Sequence, residues 1–153
     1  MDRLDHAIID HLVRDGRIPN TELAQRVGLS PSPCLRRVRA LEESGVITGY
    51  HAAVSPAAMG RGLRVLLHVD MADQRQGTVE AFEAAVQEID EVVGCRRMFG
   101  NPDYLLDLAV SDLDAYEQLY MATLTALPGV ATTKSQFIMK VVKQTPGFGV
   151  AGH

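Results

Sequence analysis

Between Arg26 and Gly45 the chain gathers the groups best suited to holding a polyanion. Four arginines, Arg26, Arg36, Arg37 and Arg39, fall in a stretch that contains no acidic residue from Arg26 to Arg39, and Ser30 and Ser32 add hydroxyls beside them. Ser30 is placed to cap a helix whose first residue is Pro31, where no N–H is missed, and Gly45 is placed to stop it. Advancing ~100° per residue from Cys34 sets Cys34, Val38 and Leu41 on one side. Ser32, Arg36 and Arg39 fall on the other, and Arg37 lies on a flank. One face is built to pack. The opposite face carries guanidinium and hydroxyl groups, which read guanine edges in a bidentate way and hold phosphates, with help from the helix N-terminus. The plain alternative is a solvated basic face on an ordinary amphipathic helix, and the preceding elements bear on the choice.

Leu4, Ile8, Ile9, Leu12 and Val13 form a helical stripe from about residue 3 to 14, stopped by Asp15-Gly16. Pro19-Asn20 reopens the chain, with Asn20 as a helix cap, and a short helix carrying Leu23, Ala24 and Val27 ends at Gly28. Two helices joined by a tight Gly-containing turn, after a first helix, make a helix-turn-helix. Val46 to Thr48 and Tyr50 to Val54 read as strand material around Gly49, either a wing or a strand leading away. The run SPAAMGRG, residues 55–62, reads as a linker, so we expect a DNA-binding domain over 1–54 and a second domain over 63–153.

After the linker the period changes. Leu63, Val65, Leu67, Val69 and Met71 alternate as a strand with one buried face, and Val79, Phe82, Val86 and Ile89 mark a helix. A strand over 92–99, a turn at Gly100-Asn101-Pro102-Asp103 and a third alternating strand from Tyr104 to Val110 follow. Ser111 is placed to cap a helix bearing Leu113, Tyr116, Leu119, Tyr120 and Leu124, which Pro128-Gly129 ends before a last strand to about Val142. The order β-α-β-β-α-β is a ferredoxin-like split unit, helices on one face of an antiparallel sheet, with an open apolar face for a second subunit to cover.

The composition sets limits. Net charge is −4, so bulk charge does not make this a nucleic-acid coat protein. Residues 1–54 hold seven Arg against seven Asp and Glu, while residues 55–153 hold eight basic and twelve acidic groups. The basic patch is therefore local. Cys34 and Cys95 form no CxxC pair and read as reduced, partly buried thiols, Cys34 on the packed side of its helix. The five His show neither HxxxH nor HExxH spacing, so no metal site or cofactor is expected. No apolar leader or long apolar run appears, which points to a cytoplasmic protein with no membrane partner. No nucleophile elbow or Cys–His arrangement argues for an enzyme.

DRLDHAIIDHLVRDGR and ELAQRVGLSPSPCLRRVRALEESGVITGY together resemble the DNA-binding half of the Lrp/AsnC (feast/famine) regulators, most closely the leucine-responsive type. FGNPDYL resembles the Gly-x-x-Asp-aromatic loop of that family's regulatory (RAM) domain, and LPGVATTKSQFIMKVVKQ its last strand. The resemblance implies an α+β chain: a winged helix-turn-helix followed by a ferredoxin-like βαββαβ domain that makes dimers, assembles to octamers and binds an amino acid where dimers meet. Carried over by position, the effector residues are Gly100, Asn101, Asp103 and Tyr104 on the loop and Thr133 and Ser135 on the strand. Asp103 would pair with the ammonium, and the two hydroxyls with the carboxylate. The residues expected at double-stranded DNA are Ser30, Ser32, Pro33, Arg36, Arg37 and Arg39, with base and phosphate roles among the arginines left open. Two-fold symmetry implies pseudo-palindromic sites. The reading is a transcription regulator answering to a free amino acid. The rival is an architectural DNA-bending protein of the same fold with no effector.

Overall fold

The computed structural model of the chain describes residues 1–143. Residues 144–153, where the expected second domain ends, lie outside the described part. Two compact units form, one containing Met1–Ala53 and the other Val54–Val142.

The first unit is three helices, α1 (Arg3–Arg14), α2 (Asn20–Val27) and α3 (Pro31–Glu43). Asp2 caps α1, its carboxylate accepting from the amides of Leu4 and Asp5, while Asp5 reaches back to the Asp2 amide. That reciprocal pairing satisfies donors a helix start otherwise leaves orphaned. Ile8, Ile18, Leu23, Ala24, Cys34 and Leu41 form the core, with Val38 and Ile47 packed against it. Cys34 is fully buried, and desolvation raises its thiol pKa, as befits a packing residue.

Two local expectations are corrected here. Asn20 does not cap α2: Pro19 holds that position, and Asn20 is the first helical residue. Its Nδ2 instead donates to the Pro31 carbonyl, 2.9 Å away, and ties α2 to the start of α3. Residues 46–54 form no strand, because a strand needs a hydrogen-bonding neighbour and none runs beside this segment among the described residues. The segment is held by its side chains: Ile47 packs on the core, and Tyr50 donates to Glu42 Oε1 at 2.8 Å.

The second unit is β1 (Leu63–Met71), α4 (Gln76–Gln87), β2 (Val92–Arg97), β3 (Tyr104–Val110), α5 (Leu113–Ala122) and β4 (Val130–Phe137). The sheet order is β2-β3-β1-β4, antiparallel throughout. This is the ferredoxin-like arrangement. Val65, Leu67 and Val69 of β1 with Tyr104, Leu106 and Leu108 of β3 face the helices and bury against Phe82, Val86, Tyr116 and Leu124. Gly129, at φ 71, turns the chain into β4 where a side-chain carbon would collide with Thr78 and Met71, and its carbonyl accepts from Ala72.

Three expectations change in this unit. Asp112, not Ser111, caps α5, accepting from the Ala115 amide, while Ser111 Oγ bonds the Asp112 carboxylate. A carboxylate outcompetes a hydroxyl for a helix N-terminus because its charge complements the dipole. The last strand ends at Phe137 rather than near Val142, since its partner β1 begins only at Leu63; Ile138 makes a final bond to the Arg64 carbonyl. The helix-free face is not the apolar face expected. Arg64 pairs with Asp107 through two bonds, Asp70 accepts from Asn101 and Thr132, and His68 Nε2 lies 2.8 Å from Gln136 Oε1. Leu66, Leu105 and Ala109 interrupt this polar network, the leucines half-buried and Ala109 buried. The alternation from Leu63 to Met71 describes one face only, and the residues between carry mostly polar groups.

Candidate functional sites

In the first unit the exposed side of α3 carries Ser32, Leu35, Arg36, Arg39, Ala40 and Glu43, which together line one shallow concave patch. The helix points this side outward because Cys34 and Leu41, on the opposite side, are drawn into the core. Ser30 occupies the N-cap position, and its side chain makes no capping bond. Its hydroxyl is therefore available to a ligand. Pro31 and Pro33 both lie in the first turn and lack N–H groups, and the Cys34 amide already bonds the Ser30 carbonyl. The helix N-terminus thus offers an anion the Ser32 amide and the two serine hydroxyls. Pro33 itself, half-buried, contributes shape and no donor.

The tertiary structure sorts the four arginines. Arg26 is paired with Glu22 at 2.6 Å. Arg37 Nη1 lies 2.7 Å from Asp2 Oδ2 and 2.7 Å from Asp5 Oδ1, joining α3 to the start of α1. Arg36 and Arg39 are exposed and enter no ion pair among the described residues. Arg37, expected on the flank of the helix, has its guanidinium between two carboxylates. Both carboxyls are held below the usual range: Asp2 first by the Asp5 amide and then by Arg37, Asp5 first by the Asp2 amide and then by Arg37. A lowered folded pKa stabilises the unit above the unfolded value of about 3.9, and the contribution is lost as pH falls through the folded pKa. Arg37→Ala is therefore expected to lower the melting temperature of the first unit near neutral pH and to make its acid unfolding less steep. Thermal melts of both proteins between pH 7 and 3 check this, and identical curves would show that the ion pairs contribute nothing.

In the second unit the loop between β2 and β3 presents Gly100, Asn101 and Asp103. Gly100 adopts φ 116, which a side chain would resist. Asn101 Nδ2 donates to Asp70 at 2.9 Å. Asp103 Oδ2 accepts from the Met71 amide and Oδ1 from Gln74 Nε2, both at 2.7 Å, so the loop is pinned to the end of β1. A carboxylate has about four acceptor sites, and two remain for an incoming ammonium. Asp103, Tyr104, Met71, Gln74, Val79, Arg97 and Met98 line a small cleft here.

Tyr104 is a core residue, 2% exposed, with its ring 4.5 Å from that of Phe82 and its hydroxyl donating to Glu83 at 2.6 Å. Burial first and Glu83 second push its pKa up, so it stays neutral and buttresses the loop from below. Thr133 and Ser135 also lie on the helix side. Thr133 sits opposite Val69 and Ser135 opposite Leu67 in the β1–β4 register. The Thr133 hydroxyl is 2.7 Å from that of Tyr120, and the Ser135 hydroxyl 2.6 Å from that of Tyr116. Sequence reasoning missed the partners Asp70, Gln74, Glu83, Tyr116 and Tyr120. Only the i,i+4 spacing of the two tyrosines hinted that both hydroxyls point the same way.

Within one chain the β2–β3 loop and the β4 hydroxyls lie on either side of β1. Tyr104 and Thr133 flank Val69 on opposite sides, two strand spacings or about 9–10 Å apart.

Among the described residues no cluster of His, Cys, Asp and Glu is arranged to hold a metal ion, and no helix is long and apolar enough to cross a membrane. Residues 1–48 match a family model described as winged helix-turn-helix DNA-binding, and residues 64–148 match one described as the Lrp/AsnC ligand binding domain. The leucine-responsive regulatory protein of Salmonella typhimurium is 43% identical over 145 residues, covering 95% of this chain and 88% of that protein. A Neisseria meningitidis transcriptional regulator solved in complex with L-Met is 36% identical with a TM-score of 0.90, covering 95% of this chain and 94% of that one. An AsnC family transcriptional regulator from Agrobacterium tumefaciens is 34% identical with a TM-score of 0.89 at the same coverage.

Proposed function

Because the chain belongs to the Lrp/AsnC family of transcription regulators, we propose that it binds duplex DNA through α3 and answers to a free amino acid bound in its second unit. The observation that carries the DNA half is the sorting of arginines. Arg36 and Arg39 enter no ion pair among the described residues and lie on the exposed side of α3 beside Ser30 and Ser32, while Arg26 and Arg37 are paired with carboxylates. Arg36 and Arg39 read base edges, the serine hydroxyls hold phosphate, and Arg37 positions α3 against α1.

For the effector, Asp103 takes the ammonium beside Gly100 and Asn101, with Tyr104 supporting the loop. Thr133 and Ser135 reach the same ligand from a second copy of the chain, where dimers meet. The effector site is therefore completed by assembly, and dimers joining into a larger ring, an octamer in this reading, are the natural consequence. Linkage follows: an amino acid that fits one assembly better shifts the population toward it and changes the spacing of the DNA-binding units. A protein doing this works in the cytoplasm.

A thermal-shift screen of the twenty amino acids, followed by sedimentation and gel shift with the best hit, tests the reading. A ligand binding only the folded state at about one hundred times its Kd stabilises by about 2.7 kcal/mol. One or a few amino acids are expected to raise the melting point and to change both assembly and DNA affinity. A protein that footprints regularly along any DNA and ignores all twenty would be the architectural packing protein instead.

A further inference from the structure

Leu35 is the one large aliphatic side chain on the DNA-facing patch, and it is 39% exposed where a leucine gains nothing from water. It is absent from the core that takes Cys34, Val38 and Leu41. It lies one helical turn before Arg39, and Ser32 and Arg36 lie beside it on the same concave patch. Ala40 continues the apolar strip. Glu43 closes the patch with a carboxylate, which repels phosphate and confines DNA to the N-terminal part of the helix.

We propose that Leu35 is a specificity-determining residue that reads the 5-methyl group of a thymine in the major groove, beside the base pair read by Arg39. This rests on the reading of α3 as the DNA-facing helix. In the major groove, thymine alone among the four bases presents a methyl group, and an aliphatic side chain is its natural complement. A leucine pressed against any other base edge covers a hydrogen-bonding group and leaves it unpaired. One helical turn rises ~5.4 Å and one base-pair step ~3.4 Å, so the thymine lies one or two base pairs from the contact of Arg39. The target class is duplex DNA in which a guanine and a thymine stand at that spacing in each half-site. Isolated exposed leucines are common on protein surfaces and need no function. What distinguishes this one is its setting on a single face among hydroxyls and guanidiniums that are unpaired among the described residues.

The test uses the full-length protein and a duplex recovered by in vitro selection from a random-sequence library. Thymines in that duplex are replaced one at a time by deoxyuridine, which removes the methyl group and nothing else. Wild type is expected to lose about fourfold in affinity at one position per half-site, the value of one buried methyl. Leu35→Ala is expected to bind the thymine and uracil duplexes equally, and Leu35→Met to keep the preference. Leu35 is outside the core, so all three proteins should melt alike. Wild type indifferent to uracil at every position, or Leu35→Ala retaining the thymine preference, would overturn the inference. If Arg36→Ala and Arg39→Ala still weaken binding in that case, the assignment of α3 to DNA stands without Leu35. If they too are silent, both fall together.

Discussion

Arg36→Ala combined with Arg39→Ala should abolish sequence preference while leaving the protein folded. Each bidentate contact to a guanine discriminates by about 1–3 kcal/mol. Each single variant should therefore lose roughly 5- to 150-fold on the selected duplex. The pair should fall to the affinity the protein has for scrambled DNA. The fold carries no cost, since both guanidiniums are exposed and neither is paired among the described residues. Gel shifts on selected and scrambled duplexes, repeated over a salt series, measure the effect. Loss of a base contact lowers affinity on the selected duplex alone. Loss of a phosphate contact lowers affinity on both and flattens the salt slope by about one unit. Arg37→Ala serves as the contrast: its guanidinium is held by Asp2 and Asp5, so its loss should appear in stability before it appears in sequence preference. Unchanged affinity in the double variant would remove α3 from the DNA.

Asp103→Asn should cost the effector its ammonium partner while keeping the loop in place. A charge-assisted bond of this kind contributes about 1.5–3 kcal/mol, so affinity for the best amino acid in the thermal-shift screen should fall roughly ten- to a hundredfold or more. Asparagine is the informative substitution because its carbonyl can still accept from the Met71 amide as the Asp103 carboxylate does. Asp103→Ala should lose the effector to the same extent and in addition leave that amide without its partner, at about 1–3 kcal/mol of stability where it is shielded from water. DNA affinity without effector should change little in either variant, because Asp103 belongs to the other compact unit. Titration calorimetry on wild type and Asp103→Asn, with melting curves for all three proteins, separates the roles. Equal affinity in wild type and Asp103→Asn would move the effector away from this loop.

Local patterns carried the element order, the positions of the helices and the face of α3 that packs. The 3.6-residue spacing of Leu4, Ile8 and Leu12, and the alternation from Leu63 to Met71, each reflect burial of one side of one element. Such burial repeats along the chain and can be read there. Gly28 and Gly45 stop their helices in left-handed geometry, a strictly local event. What the tertiary structure alone decided is which polar groups are already spent. Arg36 and Arg37 are neighbours of identical chemistry, and only the arrival of α1 beside α3 brings Asp2 and Asp5 to one of them. Thr133 and Ser135 share a strand face in any reading, but whether that face meets water, a ligand or Tyr116 and Tyr120 depends on where α5 lies. Asp103 acquires Met71 and Gln74 because β1 and β3 are adjacent, although some thirty residues separate them in the chain. An ion pair or a hydrogen bond between distant residues leaves no period in a sequence, since it depends on a single meeting of two groups rather than on a repeated environment.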